Sequence, residues 1–321
     1  MKIGLVGRRL LVSSLMSISI YGCNSEGAFD SEKIKPEDIE QIESEDIEQS
    51  VESRDGEIVN ITVTPYFIGI QKGKSQQLKA IASYDYYNEL ALIDITDSGH
   101  WEAEDLQIVT LTDTGEVSGL EQGRSSIMVS KEGLSETVEV NVCDDLAGVC
   151  LDTYNVGNNK LITNSPSVAF LDRLSQIEIE DAYVISEVED MYDDIHTEVG
   201  EGDPFNLNNG VLIPDPNRVK GSFYLFSYKQ ASQLCQIYNA YQIGGRGNWR
   251  IPERYEIEHG MFNFGEGVSV FVDRGWPTEK VYWTSTQVYT DNNWTFNLFS
   301  GGLTNLSTEA NDGYASCVSD F

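Results

Sequence analysis

Between Glu57 and Val142 apolar residues alternate with polar ones in short runs: Ile61 and Val63 open the stretch, and Val138, Val140 and Val142 close it. Gly69, Gly73, Gly115, Gly119, Gly123 and Gly133 divide the interval into short runs. Alternation sends successive side chains to opposite faces of a strand, so one face of each run is apolar and needs a partner sheet. A helix would scatter the same valines around its circumference. The pattern therefore predicts an all-β sandwich over residues 57–142, joined by glycine-bearing turns. Such a sandwich needs a large inward anchor; Trp101 is expected to supply it, with His100 beside it exposed.

From Cys143 to Phe321 both periods occur. Ser227 precedes Gln230 by three residues, a capping-box spacing, and Ala231, Leu234, Cys235 and Tyr238 then share one helical face. Pro252 and Glu253 suit the first turn of a second short helix reaching Ile257. Val281–Ser285, Trp294–Phe299 and Tyr314–Val318 read as late strands. Two helices and a late antiparallel set predict an α+β unit over residues 143–321.

Upstream of both units, Lys2, Arg8 and Arg9 precede the apolar run Leu10 to Ile20, which has the length of a secretory core and is too short to span a bilayer. The run ends in Ile20-Tyr21-Gly22-Cys23, which resembles a bacterial lipobox. Residues 1–22 are thus expected to be a lipoprotein signal peptide and Cys23 the acylated N-terminus, several acyl chains supplying the membrane anchor. Asn24, not Asp, follows the cysteine, which resembles outer-membrane sorting with exposure at the cell surface. Residues 23–56 then repeat Pro36-Glu-Asp-Ile-Glu40 as Ser44-Glu-Asp-Ile-Glu48; so acidic and aromatic-poor a stretch is expected to be a disordered tether.

Charge and cysteine count narrow the partners. With 52 acidic residues against 21 basic ones and a net charge of −31, no basic stripe exists to release counterions from nucleic acid, so none is expected as a partner. Beyond Cys23 the chain holds Cys143, Cys150, Cys235 and Cys317, an even number suited to an oxidising compartment. Three pairings are open, and sequence proximity favours Cys143 with Cys150 and Cys235 with Cys317. No CxxC or HxxxH spacing suggests zinc.

Two family resemblances are carried by particular residues. Ile61-Thr-Val-Thr-Pro65, Lys72-Gly-Lys-Ser-Gln-Gln-Leu-Lys-Ala-Ile-Ala82, Ile93-Asp-Ile-Thr96, Trp101 and Gly115-Glu-Val-Ser-Gly-Leu-Glu-Gln-Gly123 resemble the bacterial Ig-like domain, group 2, a spacer in surface proteins. Ala231-Ser-Gln-Leu-Cys235, Gly244-Gly-Arg-Gly-Asn-Trp-Arg-Ile-Pro252, Tyr282-Trp-Thr-Ser285 and Tyr314-Ala-Ser-Cys-Val318 resemble the Lcl-type C-terminal domain, a C-type-lectin-like module of bacterial surface adhesins. Ser165-Pro-Ser-Val-Ala-Phe-Leu-Asp172 and Arg274-Gly-Trp-Pro277 are similar to the lipoprotein variant of that module. This second resemblance implies a Cys235–Cys317 disulfide and a core role for Trp249 and Trp283. The acidic stretch Glu187 to Asp203 departs from it as a lengthened, solvated insertion.

Function is read from the same residues. Neither the Glu-Pro-Asn nor the Gln-Pro-Asp triplet of calcium-dependent sugar binding occurs. Asp190, Asp193, Asp194, Glu198, Glu201 and Asp203 lack EF-hand spacing, so no metal and no cofactor is assigned. No nucleophile elbow, P-loop or dinucleotide fingerprint is present, and His100, His196 and His259 read as surface residues, so the chain is expected not to be an enzyme. The expected activity is recognition, an adhesin binding a glycan, matrix polymer or other cell surface through its C-terminal domain. The alternative is a shielding envelope lipoprotein without a ligand. Candidate ligand-binding residues are Trp276, Asp291, Asn292, Asn293 and Trp294, with both tryptophans expected to be partly exposed.

Overall fold

A computed structural model describes residues 56–86, 89–177, 192, 194–199, 207–208, 211–212, 218–261, 274–310 and 312–320. Cys23, the signal peptide, the tether and most of the Glu187–Asp203 insertion lie outside the described residues.

The alternating stretch forms ten strands: β1 (Glu57–Thr64), β2 (Ile68–Gln71), β3 (Ser75–Gln77), β4 (Lys79–Tyr86), β5 (Glu89–Asp94), β6 (His100–Ala103), β7 (Val109–Leu111), β8 (Glu116–Gly119), β9 (Gly123–Lys131) and β10 (Leu134–Cys143). They assemble as sheets β1-β4-β5, β2-β10-β9-β6 and β3-β8-β7. Every pairing is antiparallel except that of β2 with β10. Ile61 and Val63 of β1, Ala80 and Ala82 of β4, Ile127 and Val129 of β9 and Val140 and Val142 of β10 meet in one buried core. This is an all-β sandwich. Glu132 and Gly133 both take positive φ, as a two-residue hairpin turn between right-twisted strands requires. Trp101 is buried, its indole N–H donating to the Thr96 carbonyl at 2.9 Å. Gly115 (φ +76°) faces it so closely that a Cβ there would sit 2.8 Å from the indole.

The alternation fails at one end of β10. Val140, Asn141, Val142 and Cys143 are all buried, so both faces of the strand are covered there. The described residues from Gly56 onward pack as one compact unit, and several contacts join the sandwich to the C-terminal region. Phe67 enters the next core with its ring edge-on to Phe170 (5.0 Å), Tyr66 N–H donates to the Tyr241 carbonyl, and Arg173 pairs with Glu139 at 2.6 Å.

Residues 150–320 mix helices with short strands: β11 (Thr153–Asn155), β12 (Leu161–Thr163), α1 (Val168–Leu174), β13 (Asp194–Glu198), β14 (Leu207–Asn208), β15 (Val211–Leu212), β16 (Gly221–Leu225), α2 (Tyr228–Ala240), β17 (Trp249–Arg250), β18 (Val281–Tyr289), β19 (Asn292–Phe296), β20 (Leu303–Ser307), β21 (Gly313–Tyr314) and β22 (Val318–Ser319). The capping box opens α2 in both directions: Gln230 N–H to Ser227 Oγ, and Ser227 N–H to Gln230 Oε1 at 2.8 Å. Ala231, Leu234, Cys235 and Tyr238 face the core with Phe170, Trp249 and Trp283, and each large apolar side chain so buried contributes about 1.5–3 kcal/mol. The helix expected from Glu253 is a single turn, Arg254–Glu256, followed by a wide turn over Ile257–Met261.

Tyr314 to Val318 is not one strand. Ser165 Oγ accepts from Ala315 N–H, Thr163 Oγ1 accepts from Cys317 N–H, and Ser316 Oγ donates to the Thr163 carbonyl, so between β21 and β22 side chains take over most of the pairing beside a single backbone bond from Thr163 N–H to the Cys317 carbonyl. The disulfides join Cys143 to Cys150 and Cys235 to Cys317. The second ties α2 to this irregular segment.

Candidate functional site

The hairpin β18–β19 carries four of the five candidate ligand-binding residues. Its first half is core: Tyr282, Trp283 and Thr284 are buried. Toward the tip it emerges, with Tyr289 71% exposed and Asp291 exposed. Tyr289 pairs with Asn292 across the turn, and the register is irregular between Trp283 and Tyr289. Alternation along β19 separates the fates of neighbours. Asn293 turns inward, fully buried, and its amide donates to the Thr284 carbonyl at 2.9 Å. Trp294, one position on, faces outward and is half-buried.

Trp294 is not bare. The Arg254 guanidinium lies 4.9 Å from its ring centroid, a cation–π contact, while Arg254 Nε donates to Glu258 at 2.7 Å and Arg254 N–H to Thr286 Oγ1 at 2.9 Å. The turn Arg254–Glu256 thus packs on both strands of the hairpin. On that turn Tyr255 is 66% exposed and stacked on His259, ring centroids 3.9 Å apart. Glu256 holds the turn from below. Arg250 donates to it through both terminal nitrogens at 2.8 Å, and Lys160 bonds it as well. Burial alone would raise the Glu256 carboxyl, but these hydrogen bonds outweigh it and hold the group at about 2.

Trp276 corrects the expectation. It is 1% exposed, and its indole N–H donates to Asp152 Oδ2 at 2.7 Å. Arg274 grips the same carboxylate with Nε and a terminal nitrogen, both at 2.6 Å, and lies over the Tyr154 ring. Arg274-Gly-Trp-Pro277 is therefore a lock on Asp152, not a stacking platform. Asn293 also leaves the ligand set, being fully buried on the opposite face of the strand from Trp294. Asp291, Asn292 and Trp294 remain together at the surface.

Sequence reasoning missed Arg254 and Tyr255, whose position beside the hairpin depends on the fold, and Asp152, which lies 124 residues from Trp276. A concavity of about 280 Å³ lies between the sandwich and the C-terminal region, lined by Gln71, Lys74 and Gln77 on one side and by Asp152, Thr153 and Arg274 on the other. Among the described residues, His196, Glu198 and Glu279 bring three metal-ligating side chains together. His196 is therefore not a bare surface residue: its Nε2 lies 2.8 Å from Glu279 Oε2.

No family model matches the chain. Ice-binding protein 1 of Shewanella frigidimarina is 33% identical over 85 residues, which is 26% of this chain and 9% of that protein's length. Among solved structures, the S-layer protein rSbsC shares 15% identity at a TM-score of 0.26, covering 36% of this chain and 16% of its own. The Yersinia pseudotuberculosis adhesin InvE shares 12% at a TM-score of 0.31, covering 82% and 70%. None of these likenesses assigns a function.

Proposed function

We propose that this protein is a lipid-anchored recognition protein of a bacterial cell surface. In this reading Cys23 carries the lipid in the outer membrane and residues 23–56 are the tether. The sandwich of residues 57–142 is a spacer, and residues 143–321 form a C-type-lectin-like head of the Lcl type that engages a glycan, a matrix polymer or another cell. The observation that carries the reading is the rim of aromatic and polar groups at the β18–β19 hairpin: Tyr289 and Asp291 exposed, Asn292 and Trp294 half-buried, with exposed Tyr255 on the adjoining turn. Aromatic faces flanked by amide and carboxylate groups suit sugar rings and extended peptides, because stacking supplies area at low conformational cost and the polar groups set orientation.

The test uses the mature full chain on arrays of glycans and matrix proteins, compared with Tyr289→Ala and Asn292→Ala. Selective binding that falls at least about tenfold in either variant supports the reading. Absence of any binding, with the fold intact by circular dichroism, replaces it with a shielding envelope lipoprotein. Membrane fractionation of Cys23→Ser checks the anchor: release into the soluble fraction is expected.

A further inference from the structure

Strand β13 carries His196 and Glu198 two positions apart, so both side chains project from one face, while Thr197 between them projects from the other and meets Ser222 of β16 at 3.2 Å. Glu279 lies just before β18 and comes to that face from about eighty residues further along. One ligand atom from each of His196, Glu198 and Glu279 lies within 4.8 Å of the other two. None is fully exposed: the side chains of His196 and Glu279 are 25% and 17% accessible, that of Glu198 1%.

The hydrogen bonds around the two carboxylates are lopsided. Glu198 Oε1 accepts from the Tyr314 hydroxyl at 2.8 Å and from the Glu279 backbone N–H at 2.7 Å. Among the described residues its Oε2 is buried and accepts no hydrogen bond, its ion-pair partner Arg218 standing 4.0 Å away. Glu279 Oε1 accepts from Val199 N–H at 3.1 Å, and among the described residues Oε2 meets only the His196 ring. Each carboxylate thus has one oxygen fixed by protein donors and a second that the protein does not satisfy with a donor of its own backbone. That division is how outer hydrogen bonds orient carboxylates for one-oxygen metal coordination. A buried carboxylate oxygen that accepts no hydrogen bond and has its counter-charge no nearer than 4.0 Å is costly, and a cation would remove that cost.

We infer that His196, Glu198 and Glu279 form a Zn²⁺ site that clamps strand β13 to the segment entering β18. One imidazole nitrogen and two carboxylate oxygens are ligands for a borderline divalent ion, with water completing a tetrahedron. Calcium is disfavoured because it takes six to eight oxygens, and an imidazole with two carboxylates does not supply them. The ion would replace the hydrogen bond between His196 Nε2 and Glu279 Oε2, both becoming its ligands at about 2.0–2.2 Å. Arg218 stays on Thr278 Oγ1 at 2.9 Å, over the Phe299 ring, and offsets part of the carboxylate charge.

Calorimetric titration of the chelator-treated full chain with ZnCl₂, and separately with CaCl₂, tests the site. One equivalent of Zn²⁺ should bind and raise Tm, and Ca²⁺ should do neither. His196→Ala and Glu279→Gln should each weaken Zn²⁺ binding by more than about 100-fold, and Tyr314→Phe, which removes only an outer hydrogen bond, by about 10- to 100-fold. His100→Ala, at an exposed histidine of the sandwich, should leave binding unchanged. Glu279 is the more accessible carboxylate, so its variant keeps the test open if changes at Glu198 or Tyr314 disturb folding. Zn²⁺ binding that is absent, that survives both His196→Ala and Glu279→Gln, or that is lost with His100→Ala would overturn the assignment.

Discussion

Trp276 and Trp294 sit in segments of similar composition, each beside turn-forming and polar residues, yet the structure uses them in opposite ways. Trp276 is sealed against Asp152, with its indole N–H and the Arg274 fork sharing one carboxylate. Trp294 stands on a strand whose alternate residues are buried, so its ring is turned outward and half-covered by Arg254. The difference teaches that composition around a tryptophan does not decide its exposure. What decides it is whether a buried acceptor meets the indole N–H, because an unpaired polar group in a core is penalised and a paired one locks the loop.

The widest separation between the two should appear in stability. Trp276→Ala removes a fully buried indole and leaves Asp152 with one partner fewer, so unfolding should cost about 3–5 kcal/mol less in urea titration. Ligand binding at saturating folded protein should not change. A loss under about 1 kcal/mol would mean that the Asp152 lock is not formed in solution and would erase the contrast.

Acid offers a second, smaller handle on the hairpin side. The Glu256 carboxyl lies below its ordinary 4.5, at about 2. A depressed folded value means that the group stabilises the fold fully above about pH 4.5, and that this contribution fades as pH falls toward 2. In Glu256→Gln the unfolding midpoint should therefore depend less on pH across that window than in the wild type, measured by thermal melts at constant ionic strength. Parallel profiles would show that the turn beneath Trp294 does not rely on the Arg250 and Lys160 bonds.

Legibility in the sequence tracks the range of the interaction. The capping box of Ser227 and Gln230 lies within one turn and is readable as such, as is the alternation around Ile61 and Val63, which needs only the strand period. The end of β10 is not readable, because Asn141 and Cys143 are buried by contacts that alternation does not encode. Strand β18 runs on to Tyr289 where the residues suggest Ser285, since Thr286 to Tyr289 are more open positions carried by pairing with β19. For the candidate site, Asp291, Asn292 and Trp294 are near neighbours in the chain and can be picked out together. Asp152 with Trp276, and Glu279 with His196, are united only by the fold.

The smallest expected change in stability is the one that bears most directly on function. Trp294 is half-buried, and its clearest contact is the Arg254 guanidinium, a cation–π pair worth about 0.5–1 kcal/mol where solvent competes. Trp294→Ala should thus lower stability by only about 1 kcal/mol, a shift in Tm of a few degrees at most. Removing the ring also frees Arg254, which Glu258 still holds at 2.7 Å, so the turn Arg254–Glu256 should keep its place. If Trp294 serves the surface, binding to the array ligand falls by at least about tenfold while Tm barely moves, the reverse of Trp276→Ala. A drop in Tm comparable to that of Trp276→Ala, with binding per folded molecule unchanged, would instead make Trp294 a packing residue and leave Tyr289 and Asn292 to carry recognition.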